Sequence, residues 1–241
     1  MTALDGKVAW VLGGGSGIGA GAARSLADAG ATVIVSGRRA AELEKLTDDR
    51  IYAVPVDVSD PQGVIDAHAR IVADHGEVGI VVYSAGTNVT NRYWNDTTPA
   101  AFAHVLDVNL TGAMRVIHAV LPGMREAQDG LVIVVSSWAG WRFAPGVGAG
   151  YSASKTALGA LVETVNAQER LRGIRATHLC PGEVKTDILA TRPVVPTEAE
   201  QALMLTAADL GDAVRYIAEL PSRICINELV ITPTSNTSYP A

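Results

Sequence analysis

The stretch Lys7-Val-Ala-Trp-Val-Leu12, followed directly by Gly13-Gly-Gly-Ser-Gly17-Ile-Gly19, decides the fold of this chain. The apolar run is typical of a strand buried on both faces of a parallel sheet. The glycines favour a sharp turn, and residues 20–29 then predict a helix. Glycines let a backbone approach a pyrophosphate closely, and a helix N-terminus offers it N–H groups. A strand, a glycine turn and a helix in this order favour a nucleotide-binding unit, whereas the glycines alone would also fit an ordinary turn.

Apolar runs alternate with helical stretches along the rest of the chain. After the first strand, the predicted strands are 31–36, 51–56, 78–83, 131–135, 176–179 and 227–232. The further predicted helices are 40–46, 61–75, one or two over 98–126, 151–171 and 209–220. This alternation predicts an α/β fold: one Rossmann-type, doubly wound parallel sheet of about seven strands with helices on both faces, in a single domain over residues 1–241. The irregular stretch 185–205 predicts either a substrate lid or an ordinary surface excursion.

Composition and charge exclude several classes of protein. With 48% apolar residues in 241 and a formal charge of −6, the chain fits a globular protein, and no nucleic-acid partner is expected. No apolar run reaches the roughly 18 residues that span a bilayer, and no signal-peptide core is recognisable. We therefore expect a cytoplasmic protein with no membrane partner. Cys180 and Cys225 are expected to be small buried hydrophobes, and no metal is predicted because the histidines and cysteines lack metal-ligand spacing.

The glycine turn has the spacing G-x-x-x-G-x-G and not the more usual G-x-G-x-x-G. Its position between the first strand and the first helix still favours a dinucleotide. The predicted contacts of this turn with the cofactor are Gly13, Gly15, Ser16, Gly17, Ile18 and Gly19.

The end of the second strand distinguishes the two nicotinamide dinucleotides. A carboxylate there would hold the ribose 2′-hydroxyl of NAD. Here the chain reads Ser36-Gly37-Arg38-Arg39, with two guanidiniums that suit a 2′-phosphate. This favours NADP(H), with Arg38 as the main contact and Ser36 and Arg39 in support. NAD(H) stays open as the alternative if both arginines only solvate the start of a helix.

A tyrosine and a lysine lie four residues apart in Tyr151-Ser-Ala-Ser-Lys155, on one face of a predicted helix. A tyrosine hydroxyl with its ordinary pKa of about 10 is a poor group for proton transfer near neutral pH. A lysine ammonium beside it favours the phenolate, so that the pair suits general acid–base catalysis. Taken alone, the spacing also fits two residues on a helix surface.

Further motifs follow in a fixed order, and with them the chain resembles the classical short-chain dehydrogenase/reductase family over nearly its whole length. The resemblance is carried by 7–19, Asp57-Val58, Ser84-Ala85-Gly86, Asn109 in Val-Asn-Leu, Ser136-Ser137-Trp-Ala-Gly140, Tyr151 to Lys155, and Pro181-Gly182-Glu-Val184-Lys-Thr186. By this resemblance Asp57 and Val58 contact the adenine. The stretch Ser84 to Gly86 ends a strand beside the cofactor, and the loop of Pro181, Gly182, Val184 and Thr186 holds the nicotinamide.

The resemblance implies an oxidoreductase that transfers hydride between nicotinamide and the alcohol or carbonyl carbon of a small substrate. Tyr151 would transfer the proton, and Lys155 would lower its pKa and hold the nicotinamide ribose. Ser137 would hydrogen-bond the substrate oxygen, and Asn109 would hold a water that links the lysine to solvent. Residues 102–126 and 151–171 would form the interfaces of a homotetramer or homodimer.

Three departures from the family pattern qualify this expectation. Leu12 stands where the family usually has a threonine that ties the glycine turn, and Ser84 replaces the usual asparagine. One residue is added between the serine and the tyrosine, so that the local pattern selects Ser137 as the catalytic serine and the commonest distance selects Ser136. We favour Ser137, because the loop after it can absorb an insertion.

Other functions fit parts of the same pattern. Residues 205–209, 220–221 and 233–236 resemble the branch of the family that acts on hydroxy acids, so an NAD-dependent hydroxy-acid dehydrogenase is the first alternative. A dinucleotide sensor without turnover is the second, although a sensor would need only the cofactor half of the motifs. Arg142 and Lys185 are candidates for receiving an anionic substrate, unless they are simply solvated.

Overall fold

Seven parallel strands form one sheet in the computed structural model, which describes residues 2–144 and 146–236. The strands are β1 (Val8–Leu12), β2 (Thr32–Ser36), β3 (Ile51–Ala53), β4 (Val78–Tyr83), β5 (Gly130–Val135), β6 (Ile174–Pro181) and β7 (Glu228–Ile231). Their order is β3-β2-β1-β4-β5-β6-β7, and each neighbouring pair is parallel. The predicted α/β, Rossmann-type, doubly wound sheet is confirmed.

The described residues form nine α-helices, all of them between successive strands. They are α1 (Gly17–Asp28), α2 (Ala40–Glu44), α3 (Pro61–His75), α4 (Pro99–Leu106), α5 (Gly112–Ala127), α6 (Trp138–Trp141), α7 (Ala149–Glu169), α8 (Glu198–Gln201) and α9 (Ala207–Glu219). Polar caps fix several starts: Asp60 accepts from the N–H of Gln62, and Thr98 accepts from that of Ala101. None of the helices in the described ranges is both long and apolar enough to cross a bilayer.

Two apolar layers cover the sheet, one on each face. On one face, Ala9 and Val11 of β1 pack with Leu26 of α1 and Val214 of α9. On the other face, Trp10 packs in the layer that contains residues of α3, α5 and α7, including Leu158. Residues of β1 alternate between the two layers, which is why the strand reads as a continuous apolar run.

The order of the strands reverses at β1, which lies between β2 and β4. The chain leaves β1 and β4 toward opposite faces of the sheet, and a crevice opens outside the carboxyl ends of these two strands. Ligands of doubly wound sheets bind in such a crevice.

Some element boundaries differ from the prediction. Residues 51–56 form a strand only to Ala53, and Pro55 beyond it has no N–H to continue a ladder. The predicted helix over 98–126 is divided by a π-helical turn, Asp107–Thr111. The short helices α6 and α8 were not expected, and Cys225 is exposed, so its predicted burial is wrong.

The segment 185–205 holds a 3₁₀ turn, Asp187–Thr191, and helix α8. Its two ends are joined, because the Lys185 N–H donates to the carbonyl of Leu205 at 2.9 Å and the Leu205 N–H donates to Glu183 at 3.0 Å. The segment is therefore a closed excursion from the carboxyl edge of β6.

Candidate active site

The glycine turn is held against the end of β2 by its backbone. The N–H groups of Gly13 and Gly14 both donate to the carbonyl of Ser36, at 2.8 and 3.0 Å. These two backbone bonds hold the turn in place, although Leu12 lacks the hydroxyl that the family's usual threonine would supply. Gly13 has φ +75°, and a Cβ there would lie 2.6 Å from the nitrogen of Ala85. The turn therefore requires glycine for both conformation and space.

Helix α1 presents a free N-terminus to the crevice. Its N-cap, Ser16, makes no side-chain capping bond, and no acidic residue lies in the first turn. The first N–H groups of a helix have no partner within it, and they attract an anion. Gly15, Gly17, Ile18 and Gly19 belong to the same turn and first helical residues. This donor set fits the pyrophosphate of a dinucleotide.

Arg39 and Arg38 stand at the adenosine end of the crevice. Arg39 donates to the Ser16 hydroxyl at 3.1 Å and lies 3.6 Å from a carboxylate oxygen of Asp187. Arg38 is exposed and acts on Asp57. Burial alone would raise the pKa of Asp57, but hydrogen bonds from Ser59 and the nearby charge of Arg38 outweigh it and hold the pKa below its usual value.

Ser36 does not offer its side chain to the crevice, which corrects the expectation of a supporting contact. Its hydroxyl accepts from the Trp10 indole N–H at 2.8 Å and donates to the Val54 carbonyl at 2.6 Å. The residue is fully buried. Val58 is likewise buried, under Gly112, so only its backbone is available to an adenine.

The loop that follows β6 forms the wall of the crevice opposite the glycine turn. A Cβ on Gly17 would lie 2.9 Å from the Thr186 methyl, so the two walls touch here. Thr186 begins the 3₁₀ turn without a side-chain capping bond, which leaves its hydroxyl available. Pro181 ends β6, the Gly182 N–H donates to Ile231 at 2.8 Å, and Val184 is buried.

Tyr151 and Ser137 meet beyond the end of β5. Burial raises the pKa of Tyr151, and a hydrogen bond with Ser137 opposes the rise, as do the charges of Arg192 and Arg92. Lys155 is not among the groups that shift this pKa here: its ammonium is 5.7 Å from the tyrosine ring centre and donates to the Val135 carbonyl at 2.9 Å. The effect of the lysine on the tyrosine therefore stays a prediction.

Two serines at the end of β5 point in different directions. The Ser136 hydroxyl is buried and donates to the carbonyl of Lys155 at 2.9 Å. Ser137 starts α6, accepts from the Ala139 N–H at 3.2 Å, and remains partly exposed. Its hydroxyl is the one next to Tyr151, which favours Ser137 over Ser136 as the group that binds substrate.

Lys155 and Asn109 border the space beside Gly86. A Cβ on this glycine would lie 3.4 Å from the lysine Nζ and 3.6 Å from the Asn109 Oδ1. Burial lowers the pKa of Lys155 to about 8. Just before this glycine, the Ser84 N–H donates to Leu12 at 2.9 Å and Ala85 abuts Gly13.

Sequence reasoning missed one residue of the site, Arg92, which belongs to no motif. It is 6% exposed, although it follows β4 in a loop. Of the two cations proposed as anion receptors, Arg142 instead stacks on Trp141 at 4.4 Å, and Lys185 is solvent-exposed.

A second polar cluster lies between β6 and β7. His178 Nδ1 is 3.0 Å from a Glu228 oxygen, and the Cys180 sulfur is 3.3 and 3.7 Å from the two ring nitrogens. A sulfur so nearly equidistant from both nitrogens faces the ring plane and not the lone pair of Nδ1. The three ligand atoms therefore do not converge as zinc ligands do.

A dinucleotide crevice with a serine, a tyrosine and a lysine at the carboxyl edge of the sheet defines an oxidoreductase of the nicotinamide-dependent class. The sequence model of the family described as short chain dehydrogenase matches residues 7–194. The chain belongs to the short-chain dehydrogenase family.

Relatives of known sequence or structure agree with this assignment. An uncharacterised oxidoreductase of Staphylococcus aureus is 30% identical over 237 residues, 97% of this chain and 100% of the relative. An alcohol dehydrogenase from the archaeon Thermococcus sibiricus, complexed with 5-hydroxy-NADP, superposes with a TM-score of 0.85 at 27% identity, covering 97% of this chain and 99% of that one. A 3-ketoacyl-(acyl-carrier-protein) reductase from Brucella melitensis, complexed with NADH, shares the fold with a TM-score of 0.89 at 24% identity, over 95% and 98% of the two chains.

Proposed function

We propose that this oxidoreductase depends on NADP(H) and transfers hydride between nicotinamide and the alcohol or carbonyl carbon of a small molecule, with Tyr151 as general acid and base. The observation that carries the proposal is the meeting of Tyr151 and Ser137 beside Lys155, at the edge of the sheet where the glycine turn lies. Bound in the crevice, the nicotinamide would give or take the hydride.

Each of the other residues of the site has its own role in the proposed reaction. Ser137 orients the substrate oxygen by a hydrogen bond, and Tyr151 gives or takes the proton on that oxygen. Lys155, with its pKa lowered to about 8, can exchange a proton near neutral pH. Asn109 uses both amide hydrogens on Thr87 and Ser154, which leaves one Oδ1 lone pair for a water beside the lysine.

Tyr151→Phe tests the mechanism, since it keeps the ring and removes the proton. We expect turnover to fall by about 100-fold or more while cofactor affinity changes little. Tyr93→Phe is the matched control, because Tyr93 is exposed and the chemical change is the same. Near-normal turnover of the Tyr151 variant would refute the mechanism.

The preference for NADP(H) rests on Arg38 and Arg39, because no carboxylate stands at the end of β2. Arg38→Asp should weaken NADP(H) binding and strengthen NAD(H) binding, as measured by titration with both. Arg24→Asp, on the exposed side of α1, changes the net charge equally and serves as control. A preference that Arg38→Asp leaves unmoved would show that this arginine does not select the cofactor, and a wild-type preference for NAD(H) would overturn the proposal.

One assay distinguishes the proposed enzyme from the alternative, a dinucleotide sensor without turnover. Absorbance of the reduced cofactor is followed against a panel of alcohols, ketones and hydroxy acids. Consumption or formation of reduced cofactor with any of them supports the enzyme. Tight cofactor binding without any change on the whole panel supports the sensor.

We also propose a homotetramer or homodimer assembled through α4, α5 and α7. Phe102, Met114 and Leu171 are exposed apolar side chains on or next to these helices, with 37%, 49% and 85% of their surface accessible. Sedimentation velocity tests the proposal, and a species of one chain's mass at micromolar concentration would contradict it.

A further inference from the structure

Arg92 is a buried guanidinium next to the catalytic tyrosine, and some of its donors are used by no residue that the structure describes. It is 6% exposed. Its Nε donates to the Val89 carbonyl at 2.8 Å, and its Nη2 donates to the carbonyl of Thr191. Nη1 makes no hydrogen bond to any residue in the described ranges. One end of the fork is therefore committed to the backbone, and the other is available to a ligand.

The positive charge of Arg92 has no counter-ion within residues 2–144 and 146–236. Among the described residues no carboxylate pairs with it, and the ionisable side chains that influence it are those of Arg192, Tyr93 and Tyr151. Arg192 is itself neutralised by Glu183 at 2.7 Å. Burial lowers the pKa of Arg92, and the like charge of Arg192 lowers it further. A buried cation in this situation favours an anionic partner.

Arg175 shows what a purely structural buried arginine looks like in the same fold. It is 9% exposed and donates to the carbonyls of Ile224 and Leu220, at 2.7 and 3.0 Å. Unlike Arg92, it has an acidic neighbour, Asp129. Bonds to carbonyls thus explain the position of a buried arginine, but they do not explain a missing counter-charge.

Arg92 is fixed to the helix that carries Tyr151. The two residues line one narrow recess together with Asn88 and Phe102. A Cβ on Gly148, the residue before α7, would lie 2.8 Å from the Arg92 Cβ, so the stem of the arginine packs directly on the start of that helix. A ligand held by Arg92 would consequently lie beside the first turn of α7, which carries Tyr151.

We propose that Arg92 receives the carboxylate of the substrate, and that the substrate is a small hydroxy acid or the corresponding oxo acid. The inference rests on the proposed hydride transfer, whose substrate class it names. The carboxylate supplies the missing counter-charge through a charge-assisted hydrogen bond from Nη1. It takes no part in the electron balance: the alcohol carbon loses a hydride to the oxidised nicotinamide, the hydroxyl proton passes to Tyr151, and the carboxylate leaves unchanged.

A pair of substrates that differ only in charge tests the inference. With β-hydroxybutyrate and its methyl ester, wild-type kcat/KM should favour the acid by about 10- to 100-fold, mainly through KM. Arg92→Gln should remove this preference, and Arg92→Lys should retain part of it. Arg175→Gln, the matched control, should lower the melting temperature without altering the preference. An ester used as well as the acid by the wild type, or a preference kept by Arg92→Gln, overturns the inference.

A binding measurement separates this inference from the proposed function. Thermal unfolding of the NADP-bound protein is followed with propionate and with propionamide at equal concentrations. Stabilisation of the wild type by propionate alone, absent in Arg92→Gln and partly kept in Arg92→Lys, supports the carboxylate site even if no alcohol in the panel is oxidised. Turnover of neutral alcohols without any effect of propionate supports the hydride transfer and overturns the role of Arg92. If Arg92→Gln does not fold, the wild type and Arg92→Lys still decide, because equal responses to propionate and propionamide in both contradict the site.

Discussion

Asn109 holds the backbone of Thr87 with both atoms of its amide. Oδ1 accepts from the Thr87 N–H at 2.7 Å, and Nδ2 donates to the Thr87 carbonyl at 3.0 Å. Nδ2 also donates to Ser154 at 3.0 Å. The amide therefore joins the end of β4 to α7 at the π-helical turn, and it is fully buried.

Asn109→Ala should lower both stability and turnover. The loss of these bonds should reduce the free energy of unfolding by about 1–3 kcal/mol, as measured by urea denaturation. The matched control is Asn166→Ala, because Asn166 clamps the backbone of Ala176 with the same pair of bonds, at 2.7 and 2.9 Å, outside the site. The control should lose comparable stability and keep its turnover; equal turnover losses in both variants would contradict a catalytic role for Asn109.

Gly13→Ala should abolish cofactor binding. The added Cβ would lie 2.6 Å from the nitrogen of Ala85 at a φ of +75°, so the turn has to move. Gly76→Ala separates strain from clash, since Gly76 has φ +94° with nothing within 4 Å of a Cβ. The control should cost about 1–3 kcal/mol of stability and leave cofactor titrations unchanged. Cofactor binding by the Gly13 variant at wild-type affinity would show that the turn does not contact it.

Lys155→Met should inactivate the enzyme and stabilise the cofactor-free protein. The ammonium is 4% exposed, and burial lowers its pKa to about 8. At about pH 7 the variant should be more stable by about 1–3 kcal/mol. Between about pH 8 and 10.5 the unfolded lysine binds more protons than the folded one, so wild-type stability rises with pH and the difference shrinks. Urea denaturation of both proteins at pH values across this window measures the stability difference. A variant that is less stable than the wild type at neutral pH would contradict the prediction.

His68 should make the protein acid-sensitive. Its ring lies 6.0 Å from that of Trp10 in the core, and its Nε2 is buried without a partner among the described residues. Burial lowers the pKa of His68, with only partial opposition from Glu77. Below about pH 6.5 the histidine is protonated in the unfolded state but still neutral in the folded state. The free energy of unfolding therefore decreases as the pH decreases, by at most about 1.4 kcal/mol per pH unit.

His68→Phe should flatten this part of the stability profile. His118→Gln, at an exposed position on α5, should leave it as it is. Urea midpoints measured in steps between about pH 7 and pH 5 make the comparison. Parallel profiles for wild type and His68→Phe would show that another group causes the acid sensitivity.

The fold follows from local pattern because its strands are buried on both faces. β1 and β5 are buried at every residue and read as apolar runs. β6 is buried as completely but carries Arg175 and His178, and the shorter β3 is misjudged where Pro55 interrupts it. The π-helical turn at 107–111 contains Asn109, whose side chain bonds to Thr87 and Ser154, far away in sequence. No local periodicity announces such a turn.

The site is predictable where it follows from the order and spacing of residues along the chain. It is not predictable where the role of a side chain depends on contacts with residues distant in sequence. The spacing of Tyr151 and Lys155 indicates a shared helix face, but not that burial dominates the tyrosine pKa. Nothing near Ser36 in sequence shows that the Trp10 indole on the neighbouring strand occupies its hydroxyl. Arg92 stands in a polar loop whose sequence resembles any exposed turn.

The buried bridge from Trp10 through Ser36 to Val54 restricts how the coenzyme preference can be redesigned. A carboxylate placed at position 36 would enter the core and displace the hydroxyl that accepts from the indole, so a substitution at that position would destabilise the protein before it changed selectivity. Gly37 is the alternative position, because a Cβ there meets only Leu43, at 3.8 Å, and its φ is not positive. Directed evolution of the nucleotide pocket should therefore randomise positions 37 to 39 and keep the serine fixed.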